Sequence, residues 1–286
     1  GGRIEHYRLA PEGMILETIN GEQNYQAEDL VDNDLTLSAG MVWDFAPSYN
    51  LGLSLTRAQR SPTAEELYSF GPHDATQSFE IGSQFTIVNG QIMTDSGNND
   101  KEIANNIDLT LRKLEGAWTG SLSMAYNRVN NFYYEKNTGL IASDIVGADP
   151  EGDLPVYQFT QGDAELYSLE AQATIPFNDN WSLDMFSDYT RGKLVDGGNL
   201  PLMPPMRIGS TLNYDQQQWH AEIAAIGYGK QTDTAENETE TAGYALANAA
   251  VTYRLYTNSG DMLLYVKANN LLNQEARPHY LRTMLR

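Results

Sequence analysis

Apolar and polar residues alternate one by one through long stretches of this 286-residue chain. In residues 35–45 the odd positions carry Leu, Ala, Met, Trp and Phe, and most positions between them carry Thr, Ser, Gly or Asp. The apolar row resumes at Leu51, Leu53 and Leu55 after a short gap. Because successive side chains of a strand point to opposite faces, each such stretch predicts a strand with one apolar and one polar face.

The connections between the predicted strands switch regularly between long and short. The turns near Pro47 and at 178–180 are short, whereas the segments 60–101 and 135–153 are long. Transmembrane β-barrels have short turns on one rim and long loops on the other, and a soluble sandwich has no reason to follow this pattern. We therefore predict an all-β, antiparallel transmembrane barrel wall. Its eleven strands are expected at about residues 3–10, 34–45, 50–59, 102–113, 117–134, 155–176, 181–193, 206–214, 218–230, 243–256 and 261–271.

Tyr and Trp residues gather beside the short turns. An amphipathic ring favours the boundary between lipid and water, so aromatic girdles mark both rims of membrane barrels. A single aromatic residue at a strand end is common in soluble β proteins, but a set beside one class of turn indicates a girdle. The set comprises Trp43, Tyr49, Trp118, Trp181, Tyr214, Trp219 and Tyr256.

The polar faces of the predicted strands carry charge. Asp184 and Asp188 alternate with Trp181, Leu183 and Met185, and so are expected to face the lumen of the barrel. We expect Glu170 and Arg191 to face the lumen as well.

Composition excludes several other classes of protein. The formal charge is −20, from 18 Lys and Arg against 38 Asp and Glu, which argues against a nucleic-acid partner. The absence of Cys excludes a disulfide scaffold and any Cys-ligated metal site. No run approaches the roughly 18 apolar residues that a membrane-spanning helix needs. Residues 1–5 have no apolar signal-peptide core, so the chain is expected to be a mature or internal part of a longer precursor.

Motifs of catalysis are absent from the sequence. There is no Gly-x-Ser-x-Gly elbow, no His-Glu-x-x-His helix and no phosphate-binding Walker loop. We expect the protein not to be an enzyme.

The segment 54–82 resembles a known family. Residues 54–68 read Ser-Leu-Thr-Arg-Ala-Gln-Arg-Ser-Pro-Thr-Ala-Glu-Glu-Leu-Tyr, residues 71–76 read Gly-Pro-His-Asp-Ala-Thr, and residues 79–82 read Phe-Glu-Ile-Gly. This order resembles the strand-to-loop signature of TonB-dependent outer-membrane receptors. The stretches 161–170, 201–207 and 269–279 are similar to later parts of the same barrels, in family order. The residues singled out by these motifs are Arg57, Arg60, Pro62, Glu65, Leu67, Tyr68, Gly71, Asn270, Ala276 and His279.

The resemblance implies that residues 1–286 are the C-terminal portion of a receptor barrel. They would supply about 11 strands of a barrel of about 22, without the family's plug domain and last strand. It implies TonB-driven uptake of a scarce nutrient across the outer membrane of a Gram-negative bacterium. The partners it implies are the TonB–ExbB–ExbD complex, reached through the plug, outer-membrane lipid, and the receptor's own N-terminal barrel half and plug.

The expected cargo is a metal ion or a metal chelate such as zinc, a siderophore or haem, and no permanently bound cofactor is expected. Two alternatives stay open at this point. One is an outer-membrane barrel enzyme, and the other is a soluble β protein that binds carbohydrate through its many Tyr residues.

His73 is the residue of greatest chemical interest. Asp74 follows it and Glu66 precedes it, and an imidazole with carboxylates is a donor set for zinc or for contact with an iron chelate. We hypothesise that His73, Asp74 and Glu66 bind the metal cargo; the alternative is a structural loop histidine. The residues expected to tie this loop to the barrel rim or to the plug are Arg57, Arg60 and Glu65.

Overall fold

In the computed structural model, eleven long strands follow one another in a single antiparallel path. The structure describes residues 1–18, 21–27, 29–94, 100–145, 153–258 and 260–277. The strands of these residues are β1 (Gly2–Leu9), β2 (Met14–Thr18), β3 (Gly21–Tyr25), β4 (Leu30–Ala46), β5 (Tyr49–Arg60), β6 (Phe70–His73), β7 (Ser78–Ile81), β8 (Phe85–Val88), β9 (Gln91–Thr94), β10 (Glu102–Lys113), β11 (Thr119–Ile141), β12 (Pro155–Pro176), β13 (Trp181–Leu194), β14 (Arg207–Gln216), β15 (Trp219–Tyr228), β16 (Tyr244–Thr257) and β17 (Gly260–Ala268). The helices are α1 (Ala64–Tyr68) and a single 3₁₀ turn (Ala142–Asp144).

The path runs β1-β4-β5-β10-β11-β12-β13-β14-β15-β16-β17, which is a partial barrel wall rather than two stacked sheets. All eleven predicted strands are confirmed, with their ends shifted by a few residues. The largest differences are that β4 begins at Leu30 and that β11 continues to Ile141. Six short strands and α1 lie within segments that the sequence pattern assigned to loops.

One face of this sheet is apolar across neighbouring strands. Residues directly opposite each other in antiparallel strands share a face. Trp43 lies opposite Leu51, Leu51 opposite Leu111, and Leu111 opposite Leu122. On the other face the corresponding row is polar, with Ser38, Thr56, Asn106 and Asn127 in register.

The apolar face is exposed along its whole width. Met41, Ile208 and Val266 are 61%, 61% and 74% exposed, although they belong to strands of the wall and not to its loops. A single sheet has no second layer to cover such a face. Since the free energy of apolar residues falls when they leave water, a bilayer is the environment that this face matches.

Aromatic residues flank the short turns, as predicted. Trp181 contacts Tyr214 at a ring distance of 4.8 Å, and Trp219 contacts Tyr253 at 4.6 Å. Near the turn between β10 and β11, the Lys113 ammonium lies 4.9 Å from the Tyr49 ring and 5.2 Å from the Trp118 ring. An amphipathic rim of this kind is typical of the lipid–water boundary.

The prediction for the lumen-facing charges is confirmed in part. Asp188 lies opposite both Glu170 and Arg207 in register, on the polar face. Arg191, however, lies opposite Tyr167, which belongs to the apolar face together with Leu169. The prediction for Arg191 was wrong because side chains alternate along β13, so Arg191 lies on the same face as Tyr189, two residues before it.

The most buried hydrophobic cluster lies outside the barrel wall. It is formed by the short loop strands and the extended ends of β11 and β12, and it comprises Phe79, Ile81, Phe85, Ile92, Ala142, Ile145 and Val156. The molecule therefore reverses the usual arrangement, since its strands expose their apolar residues and its loops bury theirs. Among the described residues, no helix is long and apolar enough to cross a membrane.

Candidate functional site

The segment that carries the sequence motif begins with a short capped helix. Thr63 is the N-cap of α1, and its hydroxyl accepts a hydrogen bond from the Glu66 backbone N–H at 3.2 Å. The Glu66 carboxylate accepts the Thr63 backbone N–H at 2.8 Å in return. This reciprocal capping box holds a helix of five residues that is too short to be stable by propensity alone.

Arg60 joins this helix to the barrel rim. Its Nη1 and Nη2 donate to the two oxygens of Glu66 at 2.7 and 2.9 Å, and its Nε donates to Glu102 at 2.8 Å. Glu102 is the first residue of β10 and lies opposite Arg60 in register. The guanidinium also lies 5.9 Å from the centre of the Tyr133 ring. All three nitrogens of the Arg60 guanidinium therefore donate to carboxylates, one from the loop helix and one from the barrel wall.

A second junction ties the loop to β4. The buried carboxylate of Asp34 accepts the Ser61 backbone N–H at 2.9 Å and the Ser61 hydroxyl at 3.0 Å. Lys101 forms ion pairs with Asp32 at 2.5 Å and with Asp34 at 3.3 Å. Burial alone would lower the pKa of Lys101, but the hydrogen bonds to Asp32 and Asp34 outweigh it and raise the pKa above the usual value.

Close packing fixes both ends of the helix. Leu67 is fully buried, and Pro62 is also buried, with its carbonyl accepting the Tyr7 hydroxyl at 2.8 Å. Gly82 approaches the helix so closely that an added Cβ would lie 2.2 Å from the Leu67 carbonyl oxygen. Only glycine permits this approach without a shift of the backbone. The Tyr68 ring lies 6.3 Å from the Tyr25 ring.

The hairpin of β6 and β7 extends the barrel wall outward. β7 pairs in parallel with β12, with Phe79, Glu80 and Ile81 opposite Val156, Tyr157 and Gln158. Strand β13 pairs with β12 only from Ala164 onward, so the hairpin occupies the edge of β12 that β13 leaves uncovered. The loop core then packs around Phe79 and Ile81.

His73 lies at the end of this hairpin, beside a buried carboxylate. Its Nδ1 is 2.7 Å from the Thr76 hydroxyl oxygen and 3.4 Å from a Glu80 oxygen. Thr76 and Ser78 donate to the same Glu80 oxygen at 3.0 and 3.1 Å. Glu65, on α1, completes the group, because one ligand atom each of Glu65, His73 and Glu80 lies within 4.8 Å of the other two.

The structure therefore gathers a set around His73 that differs from the hypothesised one. Glu66 is engaged by Arg60 and by the helix cap. Asp74 is exposed in the turn after β6, where its backbone carbonyl accepts the Gln77 side chain at 2.6 Å. Glu80, which no sequence motif indicates, supplies the buried member of the group. Metal binding by His73, Asp74 and Glu66 stays a prediction.

Arg57 lies on the other face of the sheet, away from Arg60. Its Nη1 donates to Asn105 at 2.8 Å, and it lies in register with Leu37 of the apolar face. The same row continues through Arg128, which pairs with Glu165 at 3.1 Å, and Lys193, which pairs with that carboxylate at 3.1 Å. We refer to Arg57, Asn105, Arg128, Glu165 and Lys193 as the outer polar row. This row marks the end of the apolar face that lies nearest the long loops.

The remaining motif residues are dispersed. Asn270 has a φ of +52° and holds a turn by accepting the Gln274 backbone N–H at 2.8 Å. Gly71 lies opposite Glu80, and Ala276 is exposed beyond β17. His279 lies outside the described residues.

Comparison with protein-family models matches residues 1–271 to the family described as "TonB dependent receptor-like, beta-barrel". The fold is similar to that of a structure titled "Copper transporter OprC", with a TM-score of 0.72 and 19% identity, covering 92% of this chain and 38% of that one.

Two further solved structures are similar. The siderophore receptor PirA from Pseudomonas aeruginosa has a TM-score of 0.56 and 13% identity over 87% of this chain and 40% of its own. The FrpB iron transporter from Neisseria meningitidis (F3-3 variant) has a TM-score of 0.58 and 14% identity over 98% and 39%. The chain thus spans about two fifths of each of these proteins. Their names describe transporters and receptors rather than enzymes, and at these identities the likeness shows the fold alone.

Proposed function

Because this chain belongs to the family of TonB-dependent receptor β-barrels, we propose that it forms wall and outer loops of a receptor importing a metal ion or metal chelate. The receptor lies in the outer membrane of a Gram-negative bacterium, as the family does. The activity is transport and involves no making or breaking of covalent bonds. The metal or chelate is the transported substrate and not a resident cofactor.

The observation that carries this proposal is the exposed apolar face of a sheet whose polar face is rich in charge. Leu111 and its register neighbours Leu51 and Leu122 need a hydrocarbon surrounding. The opposite face presents carboxylates and amides that suit a hydrated lumen or the surface of a plug domain. A soluble carbohydrate-binding protein does not fit this division, because none of the described residues forms a second layer over the apolar side.

A cleft of about 630 Å³ on the polar face supports the proposal that the wall contacts an interior partner there. Glu170, Asp188 and Arg207 line it, together with Tyr228 and Tyr244. Arg207 donates to both oxygens of Asp188, at 2.9 and 3.1 Å. This ion pair and the surplus charge of Glu170 give the lumen a surface to which the receptor's own plug docks.

The nature of the cargo is supported by two independent lines. The similar structures are named as a copper transporter, a siderophore receptor and an iron transporter. In this chain, an imidazole and two carboxylates converge at His73, on the side of the long loops. Both point to a metal or its chelate, and zinc, a ferric siderophore and haem are the candidates.

The family mechanism assigns this chain a passive part. Outer loops and wall bind the cargo, and the TonB–ExbB–ExbD complex then rearranges the plug to release it inward. What these residues contribute is a rigid rim: Arg60 and Asp34 fix the loop that carries His73 to the ends of β10 and β4.

Uptake by whole cells tests the proposal. A strain lacking the full-length receptor is compared with the same strain complemented on a plasmid, each given radioactive zinc, copper, haem iron or a ferric siderophore. We expect one of these cargoes to accumulate only with the receptor, and only while TonB and the proton-motive force are intact. Equal accumulation of every cargo in both strains would contradict the proposal.

A further inference from the structure

The group formed by Glu65, His73 and Glu80 has the composition of a transition-metal site. An imidazole nitrogen and carboxylate oxygens are the donors of many zinc sites, whereas Mg²⁺ and Ca²⁺ take oxygen donors alone. The three ligand atoms lie within 4.8 Å of one another, so small side-chain rotations bring them to one ion. We name these three residues the rim triad.

The rim triad stands on elements that the structure holds in fixed positions. Glu65 belongs to α1, which Arg60 and the capping box anchor. His73 and Glu80 lie on one face of the β6–β7 hairpin, where Ser78 is opposite His73 and Gly71 is opposite Glu80. The Ser83 and Gly82 backbone N–H groups bind the Glu66 and Ser69 carbonyls at 2.8 and 2.7 Å, which joins hairpin to helix. Preorganised ligands of this kind bind a metal without the entropy loss of ordering a loop.

The charges of the rim triad favour a cation. Within the part of the chain that the structure describes, the Glu65 carboxylate makes no ion pair and no hydrogen bond. It lies next to a second carboxylate, that of Glu80, whose side chain is only 6% exposed. Two carboxylates at this distance repel each other unless a positive charge lies between them. A divalent ion bound by the triad supplies that charge.

Space and orientation are also suitable. Gly71 faces Glu80 across the hairpin, and a Cβ added to it would contact nothing within 4 Å, so there is room beside the triad for an ion and its water. Thr76 contacts the imidazole at Nδ1 at 2.7 Å and donates to Glu80 at 3.0 Å, so its hydroxyl restrains these two ligands beside each other. Glu65 and His73 are exposed, which leaves the site open to solvent.

We propose that the rim triad binds a divalent transition-metal ion, with zinc as the best match, and that it is the metal's first contact on the receptor. The inference rests on the proposed function, in that it names the residues at which a metal cargo is captured. Three protein donors leave at least one coordination position for water, as in sites that exchange their ligands and unlike closed structural sites. Glu80 forms the buried floor of the site, and Glu65 and His73 form its two exposed sides.

Zinc titration of the full-length receptor tests this site. The purified receptor in detergent is titrated with ZnCl₂ in competition with a chromophoric chelator, with Co²⁺ absorption as a second readout. The variants H73Q and E65Q remove one exposed ligand each and keep the side-chain volume. D74N tests the rival ligand set that includes Asp74, and H220Q removes a histidine that likewise contacts two carboxylates, Asp215 at 2.7 Å and Glu222 at 3.9 Å.

We expect H73Q and E65Q each to weaken zinc binding at one site by at least about tenfold. D74N and H220Q should bind like the wild type, and excess Mg²⁺ should not compete. Wild-type affinity in both H73Q and E65Q, or equal losses in the two controls, would overturn the proposal. Glu65 and His73 are exposed, so these variants test the ligands without opening the core.

Uptake separates this inference from the proposed function. If the receptor imports a metal and H73Q and E65Q bind zinc like the wild type, the rim triad is refuted and the transport function stands. If the triad binds zinc but deletion of the receptor changes the uptake of no cargo, the transport function is refuted and the site stands.

Discussion

The assignment of the apolar face to lipid leads to a sharp test with two adjacent residues of β10. Leu109 lies opposite Leu53 and Met124 on the apolar face, and Thr110 lies opposite Gly52 and Ser123 on the polar face. Outward polar side chains bound the apolar part of this strand, Asn105 at one end and Lys113 at the other. The eight steps from 105 to 113, at about 3.3 Å each, span about 26 Å along the strand, or about 20 Å along the membrane normal at a tilt of about 40°. Leu109 is at the middle of that span.

An arginine placed at 109 therefore enters the centre of the hydrocarbon layer. Arginine on the lipid face near the midplane destabilises a barrel by about 2–4 kcal/mol. At about 1.4 kcal/mol for each factor of ten, the folding equilibrium falls about 30- to 700-fold. L109R should show this loss, while T110R, which places the same charge in the lumen, should change the free energy of folding by less than about 1 kcal/mol.

Urea titration of the full-length receptor in phospholipid vesicles measures both variants. Tryptophan fluorescence reports folding, and retarded mobility of unheated samples on gels gives a second readout. The comparison controls for side-chain volume and charge, because both variants carry the same new residue one position apart. If T110R were destabilised as much as L109R, or more, the assignment of the two faces would be wrong.

Three further predictions concern the rim and the edges. R60M should leave Glu66 and Glu102, whose side chains are only 14% and 13% exposed, facing each other without a counter-charge. The expected loss is about 2–3 kcal/mol, between the values for exposed and buried ion pairs, since Arg60 itself is partly exposed. Hydrogen exchange of α1 measures it, and unchanged protection would contradict it. L67A should open a cavity under the same helix at a loss of about 2–5 kcal/mol, seen as faster proteolysis between residues 60 and 94, with cleavage at the wild-type rate as the refuting result. The 286-residue chain expressed alone should collect in inclusion bodies, because β1 and β17 each pair on one side only in the described residues. A monodisperse soluble monomer with a cooperative melt would refute this.

The barrel wall could be predicted from the sequence because its rule is local. A period of two residues and the length of each gap suffice to place β4, β5 and β10 within a few residues. The error at Arg191 arose where charge was allowed to override the alternation. A charged side chain such as that of Arg191 can lie on the apolar face when it is near the outer end of its strand, next to the outer polar row.

The candidate site could be predicted only in part because its contacts are not local. Sequence proximity to His73 suggested Asp74 and Glu66, but Asp74 is exposed in the turn after β6 and Arg60 engages Glu66. Glu80 reaches His73 through the hairpin register, and β7 is held there by parallel pairing with β12. Nothing in the pattern of residues 70–81 signals that pairing, because two four-residue strands are too short to show a period. The Gly82 contact with Leu67 is likewise visible only in three dimensions.

The packed loop core determines which surface of the receptor an antibody or a phage can bind from outside the cell. Phe79 and Phe85 pack in one cluster with Val156, which comes from a distant part of the chain, and this cluster supports the outer surface of the loops. An antibody or a phage that binds this surface must contact residues from several segments of the chain. Sera raised against a linear peptide covering residues 78–85, which are almost all buried, should therefore bind the heat-denatured receptor and fail on intact bacteria. A vaccine antigen from this surface would have to display the folded barrel rim.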